Sequence, residues 1–372
     1  MPSDEEGAVQ ARKAEHLELA ARPDVDAAPT SAWHDIYFEH EALPECNLDD
    51  VDLSVSFLGY RLEAPLVIAG MTGGHPAAEQ INAALAAAAG HRGLALGVGS
   101  QRAALVNPEL SSTYSIVRAV APSAFIIGNV GIAQLLPQAS GPALSLEQLQ
   151  AAVEMVRADA LAVHLNFLEE SVQPEGDRRA AGGLAAIERV ASALPIPVVV
   201  KETGGGISQS TACRLAGAGA AALDVGGSGG TSFAAIEGLR ARARHDERGH
   251  RLGNSLRGWG IPTPVSIVAA RAAGRPVIAT GGIRSGLDGA KAIALGATLV
   301  GVARPLLMAA REGEQAVHAW IDCFLHELRT VMFLLGARTP GELRRTRLVV
   351  TGTTQAWLEQ LGLEHGAPAQ EA

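Results

Sequence analysis

From Leu66 onward the chain alternates short, unbroken apolar runs with alanine-rich amphipathic stretches. The runs are Leu66–Gly70, Ala95–Ser100, Phe125–Val130, Leu161–Asn166, Val198–Glu202, Ala221–Gly227, Val277–Gly282 and Leu299–Arg304. Continuous apolar runs of this length suit parallel strands buried on both faces. Helical periodicity fills the gaps, as in Leu146–Arg157 and Leu184–Leu194, and repeated strand–helix units imply a parallel sheet. The pattern predicts an α/β fold of the TIM (β/α)8 barrel class, with a doubly wound open sheet as the alternative. Polar residues at the carboxyl ends of nearly every run favour the barrel, which carries its chemistry at those ends.

Around this repeat, residues 1–44 read as an N-terminal arm: a short helix over Gly7–Ala20 and a polar connector to about Pro44. Residues 45–365 make the barrel and its C-terminal helices, notably a periodic helix over Gly313–Leu335, with the last elements in Gly341–Leu361. Residues 366–372 read as a frayed tail. The stretch from Ser228 to Pro276 is unusually long between strands and includes the basic, apolar-poor run Ala241–Trp259. It reads either as a solvated loop or as a lid over residues 232–258. Ile261–Gly274 reads as the helix that completes this unit.

Composition narrows the function. A formal charge of −9 is unlike the basic face of a nucleic-acid protein, yet local Arg and Lys can still hold a phosphate. The cysteines Cys46, Cys213 and Cys323 have neither a disulfide framework nor a metal spacing. The acidic start is unlike a secretory leader, and no run is long enough to span a bilayer. Together these lead to the expectation of a cytoplasmic protein without membrane span. Lysine is scarce, at Lys13, Lys201 and Lys291 only. Either codon bias spared these three, or a compact ammonium is needed where each stands.

Glycine clusters lie just past strand ends at Gly73–Gly74, Gly204–Gly206, Gly226–Gly227, Gly229–Gly230 and Gly281–Gly282. The most specific signal is Thr280–Asp288 followed by Val300–Pro305, glycine-rich loops after the last two strands, where barrels build phosphate sites. This run resembles the phosphate loop shared by FMN-dependent barrel oxidoreductases and isomerases, a resemblance that implies FMN or another phosphorylated ligand. Lys201 at a strand end suits the pyrimidine edge of a flavin; an ion pair with Glu202 is the plainer reading. Alternation places His164 and Asn166 on one inward face, beneath a carboxylate-rich loop suited to Mg²⁺. A buried structural histidine is the alternative there.

The blocks Arg12-Lys13-x-x-His16, Ala69–Gly74, Gly99–Arg102, Gly128–Gly131, HLNFLEESVQPEGD from His164, VVVKETGGGIS from Val198 and DVGGSGGTSF from Asp224 occur in that order. With the final phosphate loop they resemble the type 2 isopentenyl-diphosphate isomerases, from about Arg12 to about Arg338. The resemblance implies a cytoplasmic homo-oligomer, tetramer or octamer, that uses FMN, Mg²⁺ and NADPH as flavin reductant to interconvert isopentenyl and dimethylallyl diphosphate. It implies FMN contacts from Met71, Thr72, Gly73, Ser100, Asn129, Lys201, Gly226, Thr231, Gly281, Gly282, Arg284, Ala303 and Arg304. It assigns the prenyl diphosphate to Arg12, Lys13, His16, Ser100, Gln101, Arg102 and Glu169, and the metal to Glu170. His164, Asn166 and Glu169 would be catalytic.

One departure stands out. Glu169 occupies the place where the family usually has Gln, so a titratable group replaces an amide. That leaves open a relative with altered substrate or weak activity, or a non-catalytic flavin binder. An FMN-dependent 2-hydroxyacid oxidoreductase shares the phosphate loop but needs a His-Gly-Gly-Arg block, where this chain reads Gly227-Ser228-Gly229-Gly230-Thr231.

Overall fold

The computed structural model describes residues 4–20, 22–26 and 32–365, the side chains of 4–11 and Pro23 excepted. Eight parallel strands close into a barrel: β1 Leu66–Ile68, β2 Ala95–Gly97, β3 Phe125–Gly131, β4 Ala160–Leu165, β5 Val198–Glu202, β6 Ala222–Asp224, β7 Val277–Thr280 and β8 Leu299–Val302. Closure is made where β8 pairs with β1, with Val300 opposite Leu66 and Gly301 opposite Val67. This is the TIM barrel that the repeat predicts. Most strands stop short of the apolar runs that signal them. The last two or three residues of these runs leave the ladder and form the rim, because glycine and polar side chains there turn the backbone out.

Small side chains keep the barrel tight. Ala95, Ala160, Ala162 and Ala222 pack inside with Val67, Ile127, Val199 and Ile278. The amino end is plugged by a hairpin, Val55–Phe57 with Tyr60–Leu62, which the sequence reading passed over. Phe57 and Tyr60 meet the Phe125 ring edge-on at 5.7 and 4.7 Å. The larger core lies between the strands and the helices outside them. Hydrophobic chemistry is thus spent on the closed end, leaving the other end free for polar groups.

The N-terminal helix runs Asp4–Ala20, three residues earlier than predicted. Within the connector to Pro44, Ile36–Phe38 pairs antiparallel with Leu348–Val350 and ties the two ends of the chain together. Parts of the connector and the whole tail 366–372 lie outside the described residues. The helices after β7 and β8 and the long Glu314–Leu334 helix stand as expected. The helix predicted over Ile261–Gly274 is shorter, Thr263–Arg271.

The loop expected over 232–258 is a correction. It folds as two helices, Phe233–Ala243 and Glu247–Ser255, capped by the side chains of Ser232 and Asp246. An apolar stripe is missing because other forces bury it. Gly238 and Gly253 bring the two backbones so close that a Cβ on Gly253 would collide with Gly238. Arg240, 2% exposed, is held by Glu15, Glu175 and Glu237 at 2.7, 2.9 and 2.5 Å. Backbone proximity and ionic pairing replace the periodic hydrophobic signal.

Candidate active site

At the carboxyl ends of the strands a cavity of about 430 Å³ opens, roofed by the N-terminal helix. Every residue assigned to the site from the sequence lines it except Gly73 and Gln101. Strands from all around the barrel deliver their polar ends to one space, as the rim positions predict.

Two loops after β7 and β8 form one corner. Gly281 and Gly282 have φ of 128° and 72°. A side chain at either would also collide with the backbone of the facing loop, at Gly227 and Gly229 respectively. Arg284 and Arg304 converge there on one carboxylate, that of Asp26 in the arm, at 2.7 and 2.5 Å. The strap carrying Asp26 is pinned by backbone: Ser232 N donates to Val25 O at 2.8 Å, and Arg257 donates to Asp26 O at 2.8 Å.

The floor is polar. Asn129 donates to Val98 O at 3.0 Å, which turns its amide oxygen toward His164 Nδ1 at 2.8 Å. An amide oxygen only accepts, so Nδ1 carries the imidazole proton and Nε2 the lone pair. Burial, then the ammonium groups of Lys201 and Lys13, push the His164 pKa down to about 3. The ring is neutral at any ordinary pH. Lys201 Nζ donates to Glu202 O at 3.1 Å. The plain Lys201–Glu202 ion pair is not what forms. The Glu202 carboxylate instead accepts from Thr203 N and Gly204 N at 2.6 and 2.7 Å, and from Gly205 N. Burial still raises its pKa to about 7.

Opposite this floor the arm brings in cations. Lys13 Nζ donates to Ser100 O at 3.4 Å. Burial above all, and then Arg12 and Arg102, lower its pKa to about 8, while Glu169 works against them. Arg102 pairs with Asp177 at 3.0 Å. His16 meets the buried Glu237 at 2.5 Å, so the arm's helix is docked on the Phe233–Ala243 helix by the same ionic network that buries Arg240.

Glu169 and Glu170 flank Asn166, whose amide nitrogen lies 3.3 and 3.1 Å from them. Glu170 also accepts from Asp177 N at 2.8 Å. Burial and the neighbouring Glu169 raise the Glu170 pKa. Among the described residues, the ligand atoms that come together as a metal-binding trio are those of His16, Glu169 and Glu237. Glu170 is outside that trio.

Gln101 and Gly73 are not among the residues lining the cavity. Gln101 is fully buried behind the wall, donating to Ala152 O at 2.7 Å and accepting from Asn129 N at 2.8 Å, and so positions Asn129. Gly73 abuts the Tyr114 ring. The sequence reading missed Asp26 and Gln134, which line the cavity, and Glu237, which anchors His16 beside it. No local motif marks Asp26, whose arginines lie 258 and 278 residues away, or the pairing of Glu237 with His16, 221 residues away. Lys291, the third lysine, donates to Trp33 O at 2.8 Å and holds the connector rather than a ligand.

Comparison with known proteins now becomes decisive. The chain is 48% identical to the isopentenyl-diphosphate delta-isomerase of Methanosarcina mazei over 352 residues, 94% of each chain. The isopentenyl-diphosphate delta-isomerases of Methanothermobacter thermautotrophicus and Halobacterium salinarum are each 47% identical, over 95% and 94% of this chain and 97% and 96% of theirs. The chain belongs to the isopentenyl-diphosphate delta-isomerase family. Residues 146–350 also match the FMN-dependent dehydrogenase family model. Among solved structures, a putative lactate oxidase of Pediococcus acidilactici matches with TM-score 0.64 at 16% identity, over 93% of this chain and 94% of that one. A single-residue variant of mandelate oxidase matches with TM-score 0.61 at 21% identity, over 94% and 99%. At such identity the oxidases share the fold alone. Among the described residues no helix is long and apolar enough to cross a membrane.

Proposed function

We propose that this chain interconverts isopentenyl diphosphate and dimethylallyl diphosphate, with reduced FMN and Mg²⁺ bound and NADPH as the reductant of the flavin. The observation that carries the reading is one cavity with two cationic groups: Arg284 and Arg304 beside the β7–β8 loops, and Arg12, Lys13 and Arg102 under the arm. One suits the phosphate of a flavin and the other a diphosphate.

The residues present fit a flavin. The cavity has the volume of a cofactor site. Asn166 Oδ1 and Thr280 Oγ1, both in residues that line it, are buried without a hydrogen-bond partner among the described residues, and buried polar atoms left so want a ligand. Arg284, Arg304 and the glycine loops would hold the phosphate, with Met71, Thr72, Asn129 and Lys201 on the ring. When bound and reduced, FMN supplies proton exchange at N5 beside an alkene, with no net redox change. Glu170, with Glu169 beside it, would hold Mg²⁺ together with substrate oxygens.

The chain's own part is positioning. Isomerisation puts a proton on one alkene carbon and takes one from a carbon two bonds away. Arg12, Lys13 and Arg102 anchor the diphosphate and so spend remote binding energy on placing the prenyl tail. Neutral His164 offers its Nε2 lone pair to the reacting face, and Asn129 fixes that tautomer. The roof formed by the arm keeps water away from an intermediate it would otherwise quench. Assembly as a homo-oligomer, tetramer or octamer, belongs to the same reading and is measured by solution mass. The test of function is anaerobic incubation with isopentenyl diphosphate, FMN, Mg²⁺ and NADPH in deuterated water. Deuterated dimethylallyl diphosphate with flavin unconsumed supports it. Absence of that product, or turnover of lactate instead, ends it.

A further inference from the structure

Beneath the main cavity lies a smaller one of about 20 Å³, walled by apolar strand residues and reached by three polar side chains, Asn129, Lys201 and Asp224. A space of that size suits about one water molecule. Asp224 ends β6 and is 6% exposed. It is the Cα partner of Lys201 on β5, so the two side chains leave adjacent parallel strands on the same face. Its Oδ1 has no hydrogen-bond partner among the described residues, and neither has Thr280 Oγ1 on the neighbouring β7.

A carboxylate in the interior of a barrel is costly unless something answers its charge. Apart from Lys201, every other residue walling this space is apolar or an amide, and valine or alanine would fill it as well. Burial raises the Asp224 pKa, and the Lys201 ammonium is the largest influence opposing it. The other ionisable groups nearby are engaged elsewhere. Glu202 is bound to the backbone of its own loop. His164 on β4 is tied to Asn129 and neutral.

We propose that Asp224 is a positioning residue acting through Lys201: from beneath, its carboxylate balances the ammonium, so that the lysine presents a damped positive charge to the ring above. This rests on the flavin reading. An unbalanced ammonium would favour the anionic form of the reduced ring. Asp224 would therefore hold the reduced flavin in its neutral, N1-protonated form to higher pH.

The experiment is an anaerobic absorbance titration of bound, reduced FMN in wild type, Asp224→Asn, Lys201→Met and the double variant, with FMN affinity measured alongside. Asp224→Asn should release the flavin proton about one pH unit or more below wild type, with FMN affinity changed less than about threefold. In the Lys201→Met background the same substitution should shift the titration by less than about a third of a unit. Superimposed curves for wild type and Asp224→Asn overturn the proposal, as does an undiminished shift without Lys201. Asp224→Ser is titrated in parallel, so a folding failure of the asparagine variant does not decide the matter. Wild-type protein that takes up no FMN sinks the flavin reading itself.

Discussion

Replacing Arg240 by methionine should destabilise the chain by about 3–5 kcal/mol, the range for breaking a buried ion pair from one side. The structure shows why the loss reaches that range. Arg240 is 2% exposed and meets three carboxylates, of which Glu15 and Glu175 are half exposed and can be rehydrated. Glu237, at 0% exposed, cannot, and among the described residues it keeps His16 at 2.5 Å. The loss should therefore fall within that range rather than below it, because the buried carboxylate is left without its guanidinium. At about 2 °C per kcal/mol for a large domain, the melting temperature falls by roughly 6–10 °C. The assay is urea unfolding of wild type, Arg240→Met, Glu237→Gln and the double variant. Neutralising Glu237 as well removes the orphaned charge, so the double variant should lose at least about 1 kcal/mol less than the sum of the singles. The reasoning is refuted if Arg240→Met loses under about 1 kcal/mol, or if the two losses simply add.

Four further outcomes follow from the site. Because Lys13 is lowered to about 8, the free enzyme carries its charge below that pH and loses it above, so KM for the diphosphate should climb on the alkaline side while kcat moves less. Glu169 raises the Lys13 pKa, so Glu169→Gln should move that KM limb to lower pH; an unmoved limb would show that the two groups do not interact. His164 stays neutral because its pKa is about 3, so His164→Gln should lower kcat without changing the shape of the profile between about pH 5 and 8. Arg304→Ala should weaken FMN binding by about 10–100-fold, the worth of a charge-assisted hydrogen bond, as read by fluorescence quenching; an unchanged affinity would move the phosphate elsewhere.

The barrel was legible because its strands are buried on both faces, and such burial writes itself into the chain as unbroken apolar runs. The rim was legible for a related reason. Residues such as Asn129, His164 and Lys201 interrupt those runs where an apolar side chain would otherwise stand, so their oddity is local. The arm's partners were not legible. Glu237 and Arg240 lie in a run that looks like solvated loop, because their burial is achieved by charge pairing with Glu15 and His16, 225 and 221 residues distant. Asp26 is likewise silent: its two arginines come from loops 258 and 278 residues away. Composition cannot distinguish a carboxylate facing water from one facing a guanidinium.

This division has a physical consequence for the site. The floor and the phosphate corner hang on strands whose burial is hydrophobic, and hydrophobic burial is insensitive to modest changes of salt and pH. The roof that brings Arg12 and Lys13 over them is held in part by the ion pairs of the half-exposed Glu15 with Arg240 and Arg244, which salt screens. The floor and phosphate corner therefore depend less on ion pairing than the roof does. Raising ionic strength should loosen the roof first, so diphosphate KM should rise with salt before FMN is lost. An arm released only together with the flavin would mean that Asp26 between Arg284 and Arg304, rather than the Arg240 network, carries the roof.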